Sequence, residues 1–154
     1  MTMTHKAPNF TPRPRPGFTL VELCIVMVII CLLVTMAVPT FRKAIEQARM
    51  DAASAGLRTV WSAQRVYWLE NRRFAAGLAD LQAMDLLDAS VAASGSNPAA
   101  TFVFGMPSAD ASHFLATATR TGSRVWSGGL QVDQEGAVTG SVADGHGVVL
   151  TPTQ

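Results

Sequence analysis

Gly17, Phe18 and Glu22 are the residues whose types and spacing could support chemistry, and they stand at the mouth of a long apolar run in Gly17-Phe18-Thr19-Leu20-Val21-Glu22-Leu23. Proline lacks an N–H, and its ring disfavours helix for the residue before it. Pro16 should therefore stop a downstream helix from extending backward. The Gly17–Phe18 bond is then expected to be extended and accessible. A cut there would leave an amine on Phe18 four residues from Glu22, one helical turn away. A charged side chain costs about 2.5 to 3.5 kcal/mol at the centre of a membrane helix, and less near its end. A carboxylate so placed is normally paired or functional. Two partners follow from spacing alone: the amine of its own chain, and the helix dipole, worth about 0.3 to 1 kcal/mol.

The remaining inventory argues against enzymatic chemistry. His5 lies upstream of Gly17, and His113 and His146 stand singly among strand-like and glycine-containing segments. No glycine-rich phosphate loop of the required spacing is found. Cys24 and Cys31 both fall in the apolar run, seven positions apart on roughly one helix face, too far apart along a helix to pair with each other. They read as small packing residues, with an intersubunit disulfide as the alternative. Asp133 and Glu135 share one turn, but two carboxylates fall far short of an oxygen cage for calcium. No metal site and no cofactor are expected.

The elements that position these residues begin with the run itself. Leu23 to Phe41 contains 19 residues and no charge. At about 1.5 Å per residue it reaches roughly 28 Å as a helix, close to the roughly 30 Å of a bilayer core. It exceeds the roughly 7 to 15 apolar residues of a secretory signal. A signal-peptide reading, with Thr35 and Ala37 before a cut at Val38, also leaves Glu22 without a purpose. Residues 1–16 carry Lys6, Arg13 and Arg15, no acid and four prolines, and read as a basic, non-helical leader. Arg42, Lys43 and Arg49 follow the run, so the positive-inside rule leaves orientation undecided, with a slight tilt toward an internal amino terminus.

Gly17 to Leu23, followed by the apolar run, Pro39 and a charged amphipathic continuation, resembles the amino-terminal signature of type IV prepilins and the related pseudopilins. The likeness extends over Gly17 to about Asn71 and includes Tyr67, Glu70, Asn71 and Phe74, with Ala75 where a proline usually follows the aromatic. It implies cleavage after Gly17 by a membrane-embedded prepilin peptidase, N-methylation of Phe18 and assembly into a filament on an inner-membrane platform. It implies further that Glu22 pairs with the Phe18 amine of a neighbouring subunit. The leader would be cytoplasmic, and the head would end in a surface pilus or a periplasmic pseudopilus. Many major pilins close a carboxy-terminal loop with a disulfide. This chain has no cysteine after Cys31, so its head must hold by packing and hydrogen bonds.

The expected fold is α+β, with one long helix packed against a small antiparallel sheet. The expected division is a leader over 1–17, a helix over 18–70 with about 22–41 in the membrane, and a head over 71–154. Pro39 removes one helical hydrogen bond, which predicts a kink in a continuous helix. Cys31 stands where a helix-loosening glycine is common in the family. Beyond Pro39 two stripes keep helical period. Phe41, Ile45, Ala48 and Ala52 read as a filament contact, and Met50, Ala53, Leu57, Val60, Trp61, Gln64, Tyr67 and Trp68 as the seat of the sheet.

A short helical stretch is expected over 78–87 and a surface loop over 88–98. Strands are expected near 101–106, 114–121, 129–132, 137–139 and 147–151, with a turn at Asp133-Gln134-Glu135-Gly136. Net charge is +1 from 12 basic and 11 acidic residues, and becomes −2 without the three basic residues of the leader. No basic stripe with interleaved aromatics supports nucleic-acid binding. The resulting reading is a type IV pilus subunit whose partners are other pilins, the peptidase and methylase, the platform and the bilayer. The alternatives are a pseudopilin of a type II secretion system and a monomeric membrane-anchored binding protein.

Overall fold

Helix α1 covers Leu20–Asn71, and helical assignment continues without a break through Pro39. The computed structural model describes residues 17–97 and 100–153, so all of the leader expected over 1–17 except Gly17 lies outside the described residues. Compact packing divides the chain between Thr40 and Phe41. The first unit is the apolar part of α1, and the second contains the rest of the helix and the sheet.

In the second unit the two expected stripes part as burial demands. Met50, Ala53, Leu57, Val60, Gln64 and Tyr67 are buried and Trp61 and Trp68 half-buried, whereas Phe41, Ile45, Ala48 and Ala52 are exposed. The buried stripe meets an antiparallel meander with spatial order β1-β2-β3-β4-β5: Phe102–Ala109, Phe114–Arg120, Trp126–Asp133, Thr139–Asp144 and Val149–Leu150. Strand β2 alternates as the period-two rule requires, burying Phe114, Ala116 and Ala118. Leu130, Val132, Val142 and Leu150 continue the core. A register shift in β1 between Gly105 and Ser108 accommodates Pro107 on an edge strand, where a missing N–H is tolerated.

Helix α1 ends where Arg72 turns left-handed at φ 56°. The segment that follows is held by Gln64, which is fully buried. Its Nε2 donates to Ala75 O at 3.0 Å, and its Oε1 accepts from Ala75 N at 2.9 Å. Phe74 packs on Phe114 with ring centroids 4.9 Å apart. Helix α2 is shorter than expected, Leu78–Ala83, because Asp85 at φ 57° breaks it and the Leu86 amide reaches back to Leu81 O. The expected loop over 88–98 contains a helical turn, α3 (Ala89–Ala92), and a 3₁₀ turn at Ser94–Ser96. Asp88 caps α3 by accepting from the Ser90 amide at 2.7 Å.

The turn after β3 forms as expected. Gly136 has φ +88°, its amide donates to Asp133 O, and a Cβ there would meet the Trp61 ring at 2.7 Å. Strands β3 and β4 differ from expectation because they pair through Gly128, Gly129 and Gly140, residues that resemble turn residues in sequence.

Two polar ties hold the head together. Glu46 is buried on α1 and binds Arg120 of β2, whose Nε donates to Oε1 and whose Nη2 reaches Oε2 at 3.2 Å. Arg120 Nη1 donates to the carbonyls of Thr101 and Thr121, and Arg49 adds a 3.2 Å contact to Glu46 Oε2. The carboxy-terminal segment lies against the same helix: Thr153 Oγ1 donates to Asp51 Oδ1 at 2.7 Å, and Gln47 Nε2 to Thr151 O at 3.2 Å. These hydrogen bonds tie the segment down without a disulfide.

Candidate assembly site

The amino-terminal segment is described within its own unit. Gly17, Phe18 and Thr19 precede the helix without regular structure and are exposed, Phe18 to 85%. A Cβ built on Gly17 would meet nothing within 4 Å, so the fold itself places no demand for glycine there.

Thr19 and Glu22 form a reciprocal cap. The Glu22 amide donates to Thr19 Oγ1 at 3.2 Å, and Glu22 Oε2 accepts from the Thr19 amide at 3.3 Å and from its hydroxyl at 3.4 Å. This is a capping box, which satisfies amides that the first turn of a helix leaves unpaired. The Glu22 carboxylate is therefore held at the first turn of α1, within the local geometry of its own chain, and remains exposed. Sequence reasoning missed Thr19. The available signal was Thr-x-x-Glu immediately before an apolar run.

From Leu20 onward the helix presents apolar side chains to the outside. Leu23, Ile25, Val26, Met27, Val28, Ile29, Ile30, Leu32, Leu33 and Val34 are all exposed among the described residues. Cys24 and Cys31 are exposed free thiols on this surface. Thr35 Oγ1 donates to Cys31 O at 2.8 Å, which satisfies the hydroxyl inside the apolar helix. Apolar surface on this scale requires lipid or protein around it. Among the described residues no group of three or more His, Cys, Asp or Glu side chains is arranged to hold a metal.

The described structure thus places Gly17, Phe18 and Glu22 at the foot of the apolar helix, with Pro39 inside its helical stretch. In the second unit the exposed stripe Phe41, Ile45, Ala48 and Ala52 offers a further apolar face. Sequence reasoning also missed Glu46. It lies four residues before Met50, in register with the buried stripe, where a charge requires a partner.

Comparison with known proteins agrees with this arrangement. Residues 12–38 match a family described as the prokaryotic N-terminal methylation motif. The chain is 38% identical over 66 residues to the type IV major pilin protein PilA of Myxococcus xanthus. That alignment covers 43% of this chain and only 30% of the relative. It is 30% identical over 114 residues to the type IV wide pilus major component PilA4 of Thermus thermophilus, covering 74% of this chain and 80% of that one.

Proposed function

The chain belongs to the type IV pilin family, and from that premise we propose that it is a structural subunit of a type IV pilus, made as a membrane-anchored precursor. In this reading residues 1–17 are a leader removed by prepilin peptidase, Phe18 is the methylated terminus, and about 22–41 lie in the bilayer before assembly. The amino terminus starts in the cytoplasm and the head, residues 71–154, on the opposite side. On an inner-membrane platform the apolar helix exchanges lipid for the helices of neighbouring pilins. Glu22 then passes from its Thr19 cap to the Phe18 amine of a neighbour. The observation that carries this reading is the apolar helix whose side chains are exposed among the described residues, with a carboxylate at its foot. The two relatives, named as major pilus components, favour a surface pilus over a secretion pseudopilus.

The test is Gly17→Phe. Because a Cβ at 17 meets nothing within 4 Å among the described residues, this variant should fold as the parent does but remain uncleaved in the membrane, with no pili in the sheared surface fraction. Mass spectrometry showing a mature terminus at Phe18 in that variant would overturn the processing step.

A further inference from the structure

A cleft in the second unit, with a cavity volume of about 420 Å³, is lined by Arg42, Glu46, Arg49, Arg120 and Arg124 together with apolar side chains. Four of these residues are arginines and one is an acid. Glu46 is already engaged by Arg120 and Arg49, and the other two Arg120 hydrogen bonds go to the carbonyls of Thr101 and Thr121. Among the described residues the side chains of Arg42 and Arg124 have neither an ion pair nor a hydrogen bond, and both residues are exposed. The cleft therefore has a surplus of positive charge with donors facing solvent. Guanidinium forks of this kind match phosphate oxygens.

The cleft's other walls narrow the ligand. Ile45 and Val125 are exposed apolar side chains, and Trp126 is a half-buried aromatic beside them. Inorganic phosphate would leave these walls and most of the volume unused. A phosphate diester carrying glycerol and the first methylenes of an acyl chain would use both. Arg42 follows Phe41, the last residue of the uncharged run, and Arg49 comes two turns later. The polar layer of a bilayer is about 5 to 8 Å deep on each side, and the rise from Phe41 to Ile45 is about 6 Å. We propose that this cleft binds the phosphate headgroup of an anionic phospholipid, which retains the subunit in the bilayer until it is extracted into the filament. The inference rests on reading residues 23–41 as a membrane segment.

The test uses the full chain in nanodiscs of equal parts phosphatidylglycerol and phosphatidylcholine, with native mass spectrometry reporting which lipid remains bound. The parent should retain phosphatidylglycerol preferentially. Removing Arg42 and Arg124 together as Gln should lower that preference roughly 25-fold, about fivefold for each arginine. Lys43→Gln removes a charge beside Arg42 in sequence but outside the cleft lining, and should lower the preference clearly less than loss of either arginine. An equal loss from Lys43→Gln would reduce the effect to general surface charge and overturn the site. Displacement of the lipid by soluble glycerol phosphate or inorganic phosphate would replace it with a free-anion site. Displacement by a single-stranded oligonucleotide would make it a nucleic-acid site. Circular dichroism melting of the double variant should match the parent, since neither side chain has an ion pair or hydrogen bond among the described residues. Extraction of the parent from membranes by alkaline carbonate would overturn the membrane reading itself. A retained protein without lipid preference would overturn only the cleft.

Discussion

At the residue scale Glu22 carries two roles that chemistry can separate. As the acceptor of a capping box it needs an oxygen at the right reach, which Gln also supplies. As the partner of a neighbour's amine it needs charge. Glu22→Gln should therefore retain the helix start, read by amide exchange at Thr19, Glu22 and Leu23, yet yield few pili, read by electron microscopy of sheared cells. Glu22→Ala should lose both. Parental pilus yield from Glu22→Gln would leave the capping role alone. Gly17, Phe18 and Glu22 could be picked from sequence because an acid and a proline-bounded bond beside an apolar run are local signals. Thr19 was equally legible, but its meaning depends on a hydrogen bond to a residue three positions on.

At the scale of elements the buried Glu46–Arg120 pair joins α1 to β2 across 74 residues of chain. Removing one partner of a buried pair leaves an uncompensated charge, so Glu46→Ala should cost about 3–5 kcal/mol in urea unfolding of the head. Glu46→Leu combined with Arg120→Met should recover part of that loss, since it removes both buried charges while the carbonyls of Thr101 and Thr121 lose the Arg120 donor.

The β1–β2 turn offers a pH prediction. Asp110 accepts hydrogen bonds from the amides of Ser112 and His113, which hold its carboxyl below the ordinary value of 3.8. A depressed folded value means the stabilisation is complete above the unfolded pKa and is lost as pH falls through the folded one. Protection of the Ser112 and His113 amides should be constant from neutral pH to about pH 5 and decline only below 3.8. Asp110→Ala should remove that dependence. The helix and the β2 alternation were readable because burial repeats along them with a fixed period. Strands β3 and β4 were displaced in the sequence reading because paired backbones at Gly128, Gly129 and Gly140 carry no side-chain period.

For the whole molecule the question is which face of the second unit meets other subunits. Ala48 lies on the exposed stripe, so Ala48→Asp should change head stability by less than about 0.5 kcal/mol, measured by thermal melting. It should nonetheless abolish filaments if that stripe is a subunit contact; normal pili from the variant would assign the stripe to solvent. The sequence alone determined the long helix, its uncovered apolar first part, the two faces of its second part and the existence of a small antiparallel sheet. Each of these is written in local composition or period. Only the tertiary structure decided that Glu46 and Arg120 are one buried pair, that Gln64 holds the segment after the helix, and that Asp51 ties down the carboxy-terminal segment in place of a disulfide. It also decided that four arginines share one cleft. Such contacts join residues far apart in the chain, and a polar side chain shows its partner only once the backbone has brought the two together.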